Sequence, residues 1–375
     1  SNNYSHSTNI NSGIRLKWNP DTLTTITFRP SFSYSESDSW SQSRTATFND
    51  DPYSIAGVSD PLGAIFQDSI AALRGITVNT NHRRSMGDSK STSFDGWGMI
   101  VRRLNNEGRN ASLSFWGGYG DSKSRNFSRS DIQYFQRTDG NNRQFSNQYT
   151  NSPSKNWNYG ARLSYSEPIV KNLHAQFNYQ YDYSYSSNDR SLYQLDSLQG
   201  WRDMYDPALG TYPTDADSLR YALNVRNSQY ATYKNYTHRI GVGLRYNTKT
   251  IQAHAAIDMQ PQRTKLSYQK DKLDTVVTRN VFNLSPNIRF RYKISETSQL
   301  DFRYRGSSSQ PSMTDLLDVT DDSDPLYISR GNPGLKPSWS NNLSLFYNNY
   351  IVDRQMGWMA NIRFGQTSNS ISNAM

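Results

Sequence analysis

Residues 173–185 alternate between apolar and polar side chains without interruption. The even positions are polar, and the odd positions carry Leu173, Ala175, Phe177, Tyr179, Tyr181, Tyr183 and Tyr185. A period of two is that of a β-strand with one apolar and one polar face. The stretch is about twice as long as a typical globular strand, whereas roughly ten residues of tilted strand suffice to cross a bilayer. It therefore predicts a membrane-spanning strand.

The same alternation recurs along the chain and predicts twelve strands in six hairpins. The predicted strands cover residues 7–18, 23–35, 92–104, 109–120, 156–166, 173–185, 233–246, 251–260, 279–294, 300–305, 339–350 and 354–366. Turns of about four to six residues alternate with loops of about twenty to fifty. This asymmetry is typical of outer-membrane β-barrels, which have short periplasmic turns and long outside loops.

A soluble β-sandwich or propeller is the alternative fold. Its strands would be nearer five or six residues long, and its loops would not sort by side. Long structureless loops also argue against a compact soluble domain. We therefore expect an all-β, antiparallel transmembrane barrel section over residues 1–375, in the bacterial outer membrane.

Composition agrees with a barrel once the alternation is taken into account. The chain has 375 residues, no cysteine and a formal net charge of +9. Its mean hydropathy of −0.84 does not exclude a membrane barrel, because alternating faces and polar loops pull that average down. Without cysteine there is no disulfide framework and no thiolate metal site.

Several local features carry their own expectations. Pro30 and Pro286 fall inside predicted strands and cannot donate to a ladder, so we expect a bulge or a pairing gap at each. Residues 61–73 are expected to contain a short helix, and the third predicted strand is ambiguous in face. Both ends look truncated, so further strands are expected before Ser1 and after Met375.

Residues 331–338, Gly-Asn-Pro-Gly-Leu-Lys-Pro-Ser, stand before a predicted strand. They resemble a segment of TonB-dependent receptor barrels, although Ser338 replaces the usual acidic residue. Residues 303–305, 310–312 and 315–317 look like the preceding strand and loop, and residues 102–105 and 166–169 look like periplasmic turns. The chain most resembles the middle section of the receptor-like outer membrane protein beta-barrel family.

This resemblance implies a barrel of about 22 strands, of which about 12 are present here. It also implies a plug domain and a Ton box, neither of which is in this chain, and coupling through the plug to a TonB-type inner-membrane energiser. A surface lipoprotein is a further candidate partner. The expected function is TonB-coupled import of a nutrient; the alternative is a non-transport barrel with an adhesion, scaffold or assembly role.

No catalytic constellation is recognisable, and an enzyme is not expected. The five histidines are scattered and show no metal-binding spacing; His174 and His254 are expected to face the lumen as solvated side chains. The acidic residues Asp315, Asp318, Asp321, Asp322 and Asp324 could hold Ca²⁺, but they lack the glycine and closing glutamate of an EF-hand. A solvated loop is favoured there, so no cofactor is expected.

Basic residues dominate the predicted lumen face, where the clear acids are Asp182, Asp258 and Asp301. The candidate basic wall comprises Arg29, Arg162, Arg239, Arg245, Arg289, Arg291, Arg303 and Arg305, with Arg15, Lys17, Lys293 and Arg363 on the same face. These residues are expected to bridge across strands and to the plug; selection of anionic cargo is the second interpretation. Nucleic acid is not expected, because most aromatic residues point to the opposite face.

Aromatic residues divide into two groups by position. Those near strand ends are expected to form two girdles at lipid headgroup depth. Those in loops are expected either to pack the loops together or to contact a small-molecule, glycan or peptide cargo: Phe48, Tyr53, Trp201, Tyr205, Tyr212 and Tyr327.

Overall fold

The structure is a computed structural model of the chain. It describes residues 1–138, 140–197, 205–312, 315–316, 320–324, 327–332, 334–370 and 372. Among these residues, no helix has both the length and the apolar character needed to cross a membrane.

Long β-strands make up most of the chain. They are β1 (Asn2–Gly13), β2 (Leu16–Trp18), β3 (Thr24–Phe48), β4 (Thr77–Arg103), β5 (Asn110–Tyr134), β6 (Arg143–Val170), β7 (Leu173–Gln194), β8 (Gln229–Asn247), β9 (Ile251–Lys270), β10 (Leu273–Lys293), β11 (Ser298–Ser309), β12 (Thr320–Asp324), β13 (Tyr327–Arg330), β14 (Ser338–Ile351) and β15 (Met356–Ser368). Within the described loop residues there are three short α-helices: α1 (Pro61–Gln67), α2 (Leu73–Ile76) and α3 (Ala216–Ala222).

The strands form one antiparallel sheet in which chain neighbours are also spatial neighbours. Its order is β1-β3-β4-β5-β6-β7-β8-β9-β10-β11-β14-β15, with β2 also paired to β3. β1 and β2 pair successively with the same strand, β3, and so together occupy one strand position in the sheet. Counted in this way, the sheet has the twelve strands that were predicted. β12 and β13 form a separate hairpin, and the main sheet is open, with β1 and β15 as its edges.

Strand ends on the loop side differ from the sequence-based prediction. β3 to β7 are 22 to 28 residues long, far beyond the predicted spans. The loop expected at 36–91 shrinks to 49–76, the one at 121–155 to 135–142, and the one at 187–232 to 195–228. β9 and β10 are joined by residues 271–272 alone. Above the membrane both faces carry polar residues, so the apolar period disappears while backbone pairing continues.

Phe48 is affected by this correction. It is the last residue of β3, not a loop residue, and it pairs with Thr77 of β4 after a register shift.

Both prolines lie where the ladder to one neighbouring strand is interrupted. Pro30 of β3 lies opposite the break between β1 and β2, while its pairing with β4 continues through Gly96. The β10–β11 ladder ends at Asn287, one residue from Pro286. The predicted pairing gaps are therefore confirmed. They fall where the N–H that proline lacks has no ladder partner to lose.

The predicted helix within residues 61–73 is present as α1. Asp60 caps its start by accepting a hydrogen bond from the Gly63 N–H at 3.0 Å, and Pro61 occupies the first turn. The helix ends at Gln67, and the residue that follows, Asp68, has a left-handed φ of 55°.

The sheet has two distinct faces, named here for their side chains. The apolar face carries an aromatic row in continuous register across five strands: Phe32, Phe94, Tyr119, Trp157 and Tyr185. The polar face carries Arg29, whose guanidinium lies 5.1 Å from the Trp97 ring centre. The orientation of the third predicted strand, which is part of β4, is thereby determined: Phe94 lies on the apolar face and Trp97 on the polar face.

Two small buried clusters lie at the loop end of the sheet. The first contains Phe127, Tyr149, Leu195 and Ala222, and it attaches residues 195–228 to the apolar-face side of β5 and β6. The second contains Ala231, Leu266 and Tyr268 on the polar-face side, with Leu316 of the β11–β14 loop packed against it. Loops therefore cover both faces of the sheet beyond the membrane.

Gly243 permits the close approach of β8 and β9. A Cβ at this position would lie 2.9 Å from the Ala256 Cβ and 3.0 Å from the Ala255 carbonyl oxygen. Neither atom can move away without a shift of the β9 backbone. Gly243→Ala is expected to lower the free energy of unfolding by about 1–3 kcal/mol. Urea unfolding in lipid vesicles, followed by tryptophan fluorescence, measures this.

Gly117→Ala is the matched control, because its nearest neighbour, the Asn158 carbonyl oxygen, would be 3.6 Å away. Alanine should leave stability unchanged or raise it slightly, since glycine weakens a strand interior. Equal losses in the two variants would contradict the close-approach explanation.

Candidate functional site

A row of mostly basic residues crosses the polar face in continuous register. Successive strands from β7 to β15 contribute His174, Arg245, His254, Arg289, Arg303, Ser344 and Arg363. Each residue lies directly opposite the next, so Arg289 faces Arg303 across one ladder position. Like charges placed directly opposite one another are destabilising unless they are compensated. This row is named the cationic row.

Asp301 compensates part of this charge. Its carboxylate receives Arg303 at 2.7 Å, Arg291 at 2.8 Å and Arg289 at 3.2 Å, and the side chain is only 4% exposed. Three guanidiniums therefore share one carboxylate, which leaves a local excess of two positive charges. The guanidiniums are more exposed than the acid, so this excess charge is accessible on the polar face.

The predicted basic wall is only partly contiguous. Arg245, Arg289 and Arg303 belong to the cationic row, Arg291 joins it through Asp301, and Arg305 lies next along β11, opposite Asn287. Arg239 donates to Gln260 at 3.3 Å, several residues nearer the loop end. By contrast, Arg29 and Arg162 stand on β3 and β6, outside the row.

Arg162 lines a separate polar recess of about 280 Å³. Asn178, His254 and Asp258 also border it, and Gly241 and Gly243 of β8 lie between them. The recess connects Arg162 with the cationic row through His254. The sequence predicted the face of these residues but not this grouping, because the grouping depends on register between strands.

On the other side of the sheet, Asp206 attaches the β7–β8 loop to β4 and β5. Its carboxylate receives Arg84 at 2.5 Å and Arg129 at 2.9 Å, and it is 12% exposed. The Asn147 side-chain amide donates to the Tyr205 carbonyl oxygen at 2.9 Å. Tyr205 also packs against the cluster around Phe127. None of these tertiary contacts was predicted from the sequence, because this part of β4 and β5 is polar on both faces and shows no alternation.

Tyr212 completes this attachment. The Arg125 guanidinium lies 4.4 Å from its ring centre, and the Tyr149 ring centre is 5.9 Å away. Arg125 is itself held by Asp88 at 2.7 Å. Burial, reinforced by the Asp88 carboxylate, raises the pKa of the Tyr212 hydroxyl well above its usual range. The hydroxyl is therefore a hydrogen-bond donor at all physiological pH values.

The six predicted cargo-contact aromatics are not assembled into one surface. Tyr205 and Tyr212 pack the β7–β8 loop, Phe48 is half-buried at the end of β3, and Tyr53 is 67% exposed. Tyr327 begins β13, and its side chain lies outside the described residues, as does Trp201. Contact with cargo stays a prediction, and Tyr53 is the most accessible candidate.

The acidic loop offers one described carboxylate. Asp315 accepts from the Ser312 N–H at 3.3 Å and its own N–H donates to Ser312 Oγ at 3.1 Å, closing a local turn. Asp318 and the side chains of Asp321, Asp322 and Asp324 lie outside the described residues. In the part of the chain that is described, no group of three or more acidic or histidine side chains is placed to hold a metal ion.

The family is shown by sequence comparison. A profile of the outer membrane protein beta-barrel family matches residues 102–375, well over half of the chain. This chain belongs to the outer membrane protein beta-barrel family, and it is located in the bacterial outer membrane. A search of curated protein sequences finds no match.

Solved outer-membrane receptors are among the structures to which the chain is similar. The chain is similar to the open form of the ferric-catecholate import receptor Fiu from E. coli K12, with 9% identity, 97% of this chain and 60% of that chain covered, and a TM-score of 0.45. BauA, the ferric preacinetobactin receptor of Acinetobacter baumannii, is 9% identical, with 92% of this chain and 52% of that chain covered and a TM-score of 0.41. The Serratia marcescens hemophore receptor HasR is 10% identical, with 96% of this chain and 54% of that chain covered and a TM-score of 0.39. The chain thus spans little more than half the length of these receptors.

Asp301 should be the residue on which the cationic row most depends. Asp301→Asn keeps the shape of the side chain but removes the charge that three arginines share. We expect the free energy of unfolding to fall by about 2 kcal/mol, and not more, because the guanidiniums stay partly solvated. The loss should be smaller in high salt, which screens the remaining repulsion. Urea unfolding in vesicles at low and high salt measures both effects.

Asp258→Asn is the matched control, because Asp258 is a polar-face acid with no ion pair among the described residues. Its substitution should change stability by no more than roughly 0.5 kcal/mol. If both variants lose stability equally, the shared carboxylate is not what holds the row together.

Asp206→Ala should release the β7–β8 loop without unfolding the sheet. Two partly buried guanidiniums lose their common acceptor, at an expected local cost of about 2 kcal/mol. Hydrogen exchange measured by mass spectrometry should show faster exchange in residues 205–228 and little change in β9 and β10.

Arg74→Ala provides the comparison. Arg74 pairs with Asp68, but both side chains are more than half exposed, so the pair contributes little. Slow exchange that persists in the Asp206 variant would show that the apolar cluster alone attaches the loop. Equal acceleration in both variants would show that the effect is not specific to the Asp206 ion pairs.

Proposed function

We propose that this chain forms part of an outer-membrane receptor that imports a nutrient by TonB-coupled active transport. Family membership supports an outer-membrane barrel, and solved structures similar to it are receptors. The cationic row is the single observation that carries the step from barrel to receptor. A wall with uncompensated charge on successive strands is suited to hold an acidic surface or to attract anionic molecules.

The geometry of the row favours an acidic partner inside the barrel. The row extends over six strands, from Arg245 on β8 to Arg363 on β15, with Asp301 as the acid that neutralises part of it. A plug domain, outside this chain, would supply carboxylates along such a wall and would be released by a TonB-type inner-membrane energiser. Charged contacts in a wetted lumen are individually weak, so they can be broken and remade during transport.

The loop end is suited to capture. Leu316 brings the β11–β14 loop onto the polar-face cluster of Ala231, Leu266 and Tyr268, which lies towards the mouth of the lumen. The β7–β8 loop is fixed instead on the apolar-face side, through Asp206 and Tyr212. Cargo would therefore meet the β11–β14 loop before the cationic row.

The proposed cargo is a small molecule. The similar solved receptors are described as a ferric preacinetobactin receptor, a ferric-catecholate import receptor, and a hemophore receptor in complex with its hemophore and heme. An anionic chelate would match the excess positive charge of the wall. A surface lipoprotein that covers the mouth is compatible with loops that reach beyond the membrane.

Uptake by cells that make the full-length protein tests this function. The probes are labelled ferric catecholate, ferric citrate and heme, each with and without a protonophore that collapses the inner-membrane gradient. Accumulation of at least one probe should exceed that of cells lacking the protein, and the protonophore should abolish the excess. Arg289→Gln with Arg303→Gln should reduce the initial rate of that uptake several-fold.

The non-transport alternative predicts a different result. An adhesion, scaffold or assembly barrel would give no excess accumulation of any probe, or surface binding that the protonophore leaves unchanged. Exposed Lys272 of the β9–β10 turn is the control position: Lys272→Gln removes positive charge outside the lumen and should leave uptake unaffected.

A further inference from the structure

The aromatic row of the apolar face continues into two lysines. Tyr185 of β7 lies directly opposite Lys234 of β8, and Lys234 lies directly opposite Lys265 of β9. The register therefore places two cations where the neighbouring strands place rings. Both lysines share the apolar face with the row, because their side chains are at the same pleat positions.

The height of this pair corresponds to the lipid headgroups. Lys234 and Lys265 lie thirteen and fourteen residues from the turn ends of β8 and β9. Roughly nine to eleven residues of tilted strand cross the hydrocarbon layer, and aromatic girdles lie at its boundary. The lysines are therefore just outside the hydrocarbon layer, on the side of the long loops.

A pocket opens beside the lysine pair. It has a volume of about 660 Å³, and its lining includes Tyr236, His238, Arg263, Lys265 and Asn280. Arg263 lies directly opposite Tyr236 and shares the membrane-facing side with Lys265. Among the residues that the structure describes, no acidic side chain lines the pocket. Its size lies within the range of ordinary small-molecule sites.

An interrupted ladder forms the base of the pocket. The β8–β9 pairing is continuous to Thr237–Gln262 and resumes at Ile240–Met259. Pro261 stands in the gap and cannot donate, so His238 beside it has no ladder partner on β9 at this point. The Tyr179 hydroxyl lies 2.9 Å from His238 Nδ1 and fixes the ring at the rim.

Three cations on this surface have no described acidic partner. Lys234, Arg263 and Lys265 make no ion pair among the residues that the structure describes, whereas Lys90, at a comparable height on β4, pairs with Glu36 at 2.6 Å. Two lysines directly opposite one another are destabilising without an anion between them. In the membrane, the anion available at this depth is a lipid phosphate.

We propose that Lys234, Arg263 and Lys265 bind the phosphorylated headgroup of an outer-leaflet lipid. The lysines and the arginine neutralise the phosphate, and Tyr236 and Asn280 contact the sugar or glycerol to which it is attached. The acyl chains then follow the apolar face towards the turn end. This site lies on the outside of the barrel, so it does not depend on the proposed transport function.

Lipid retention by the purified full-length protein tests the site. Wild type and the Lys234→Gln/Lys265→Gln variant are incubated in detergent with lipid A, with lipid A lacking its phosphates, or with inorganic phosphate. Native mass spectrometry counts the bound molecules. Wild type should retain lipid A about tenfold more tightly than the dephosphorylated form, and the variant should lose this preference.

Two further variants separate charge from folding. Lys234→Arg/Lys265→Arg should keep the preference, because arginine also binds phosphate. Lys249→Gln/Lys272→Gln removes the same charge from two turns and should behave as wild type. Heat-modifiable migration on gels verifies that each barrel is folded, and Arg263→Gln, at an exposed position, replaces the double variant if that variant fails to fold.

Three results would overturn the proposal. Equal retention of lipid A with and without phosphate would show that only acyl chains bind. Retention unchanged in both the double variant and Arg263→Gln would place the lipid elsewhere. Displacement of lipid A by millimolar inorganic phosphate would assign the cations to a soluble anion.

Discussion

Everything in this molecule depends on the backbone hydrogen-bond ladder. In hydrocarbon no water is available to an unpaired N–H or carbonyl, so a spanning strand must be paired on both sides. Strands β3 to β11 are paired in this way over the membrane, and the prolines fall where one ladder is already interrupted. The ladder leaves few choices of register, and register then determines which side chains meet.

The main features of both faces are rows created by that register. On the apolar face five rings align from Phe32 to Tyr185. On the polar face basic residues align from His174 to Arg363, and Asp301 shares its carboxylate among three arginines. Repulsion between aligned cations is tolerable on the polar face because water screens it. On the membrane side the same arrangement needs a counter-ion, which is why the lysine pair differs physically from the cationic row.

Beyond the membrane the sheet continues and its stability has another source. Small clusters around Phe127 and Leu266 bury loop side chains on opposite faces. Ion pairs of Asp206 and Asp88 add directional contacts to the cluster around Phe127. Because each cluster is small, the loops are expected to open at lower free energy than the paired strands. The proposed receptor function requires such a difference, since capture needs movement of the loops while the paired strands stay in place.

The sequence by itself determined the twelve strands, the two faces of most of them, the short turn within each predicted hairpin, and the residues that could form a basic wall. It did so because a period of two and turn chemistry are local properties. It failed at the strand ends above the membrane, where polar residues occupy both faces and the period vanishes. Only the tertiary structure decided that Arg289 meets Arg303 and Asp301, that Tyr212 packs on Tyr149, and that Lys234 faces Lys265. These contacts join residues far apart in the chain, and their geometry follows from the pairing register between strands, which no single strand contains.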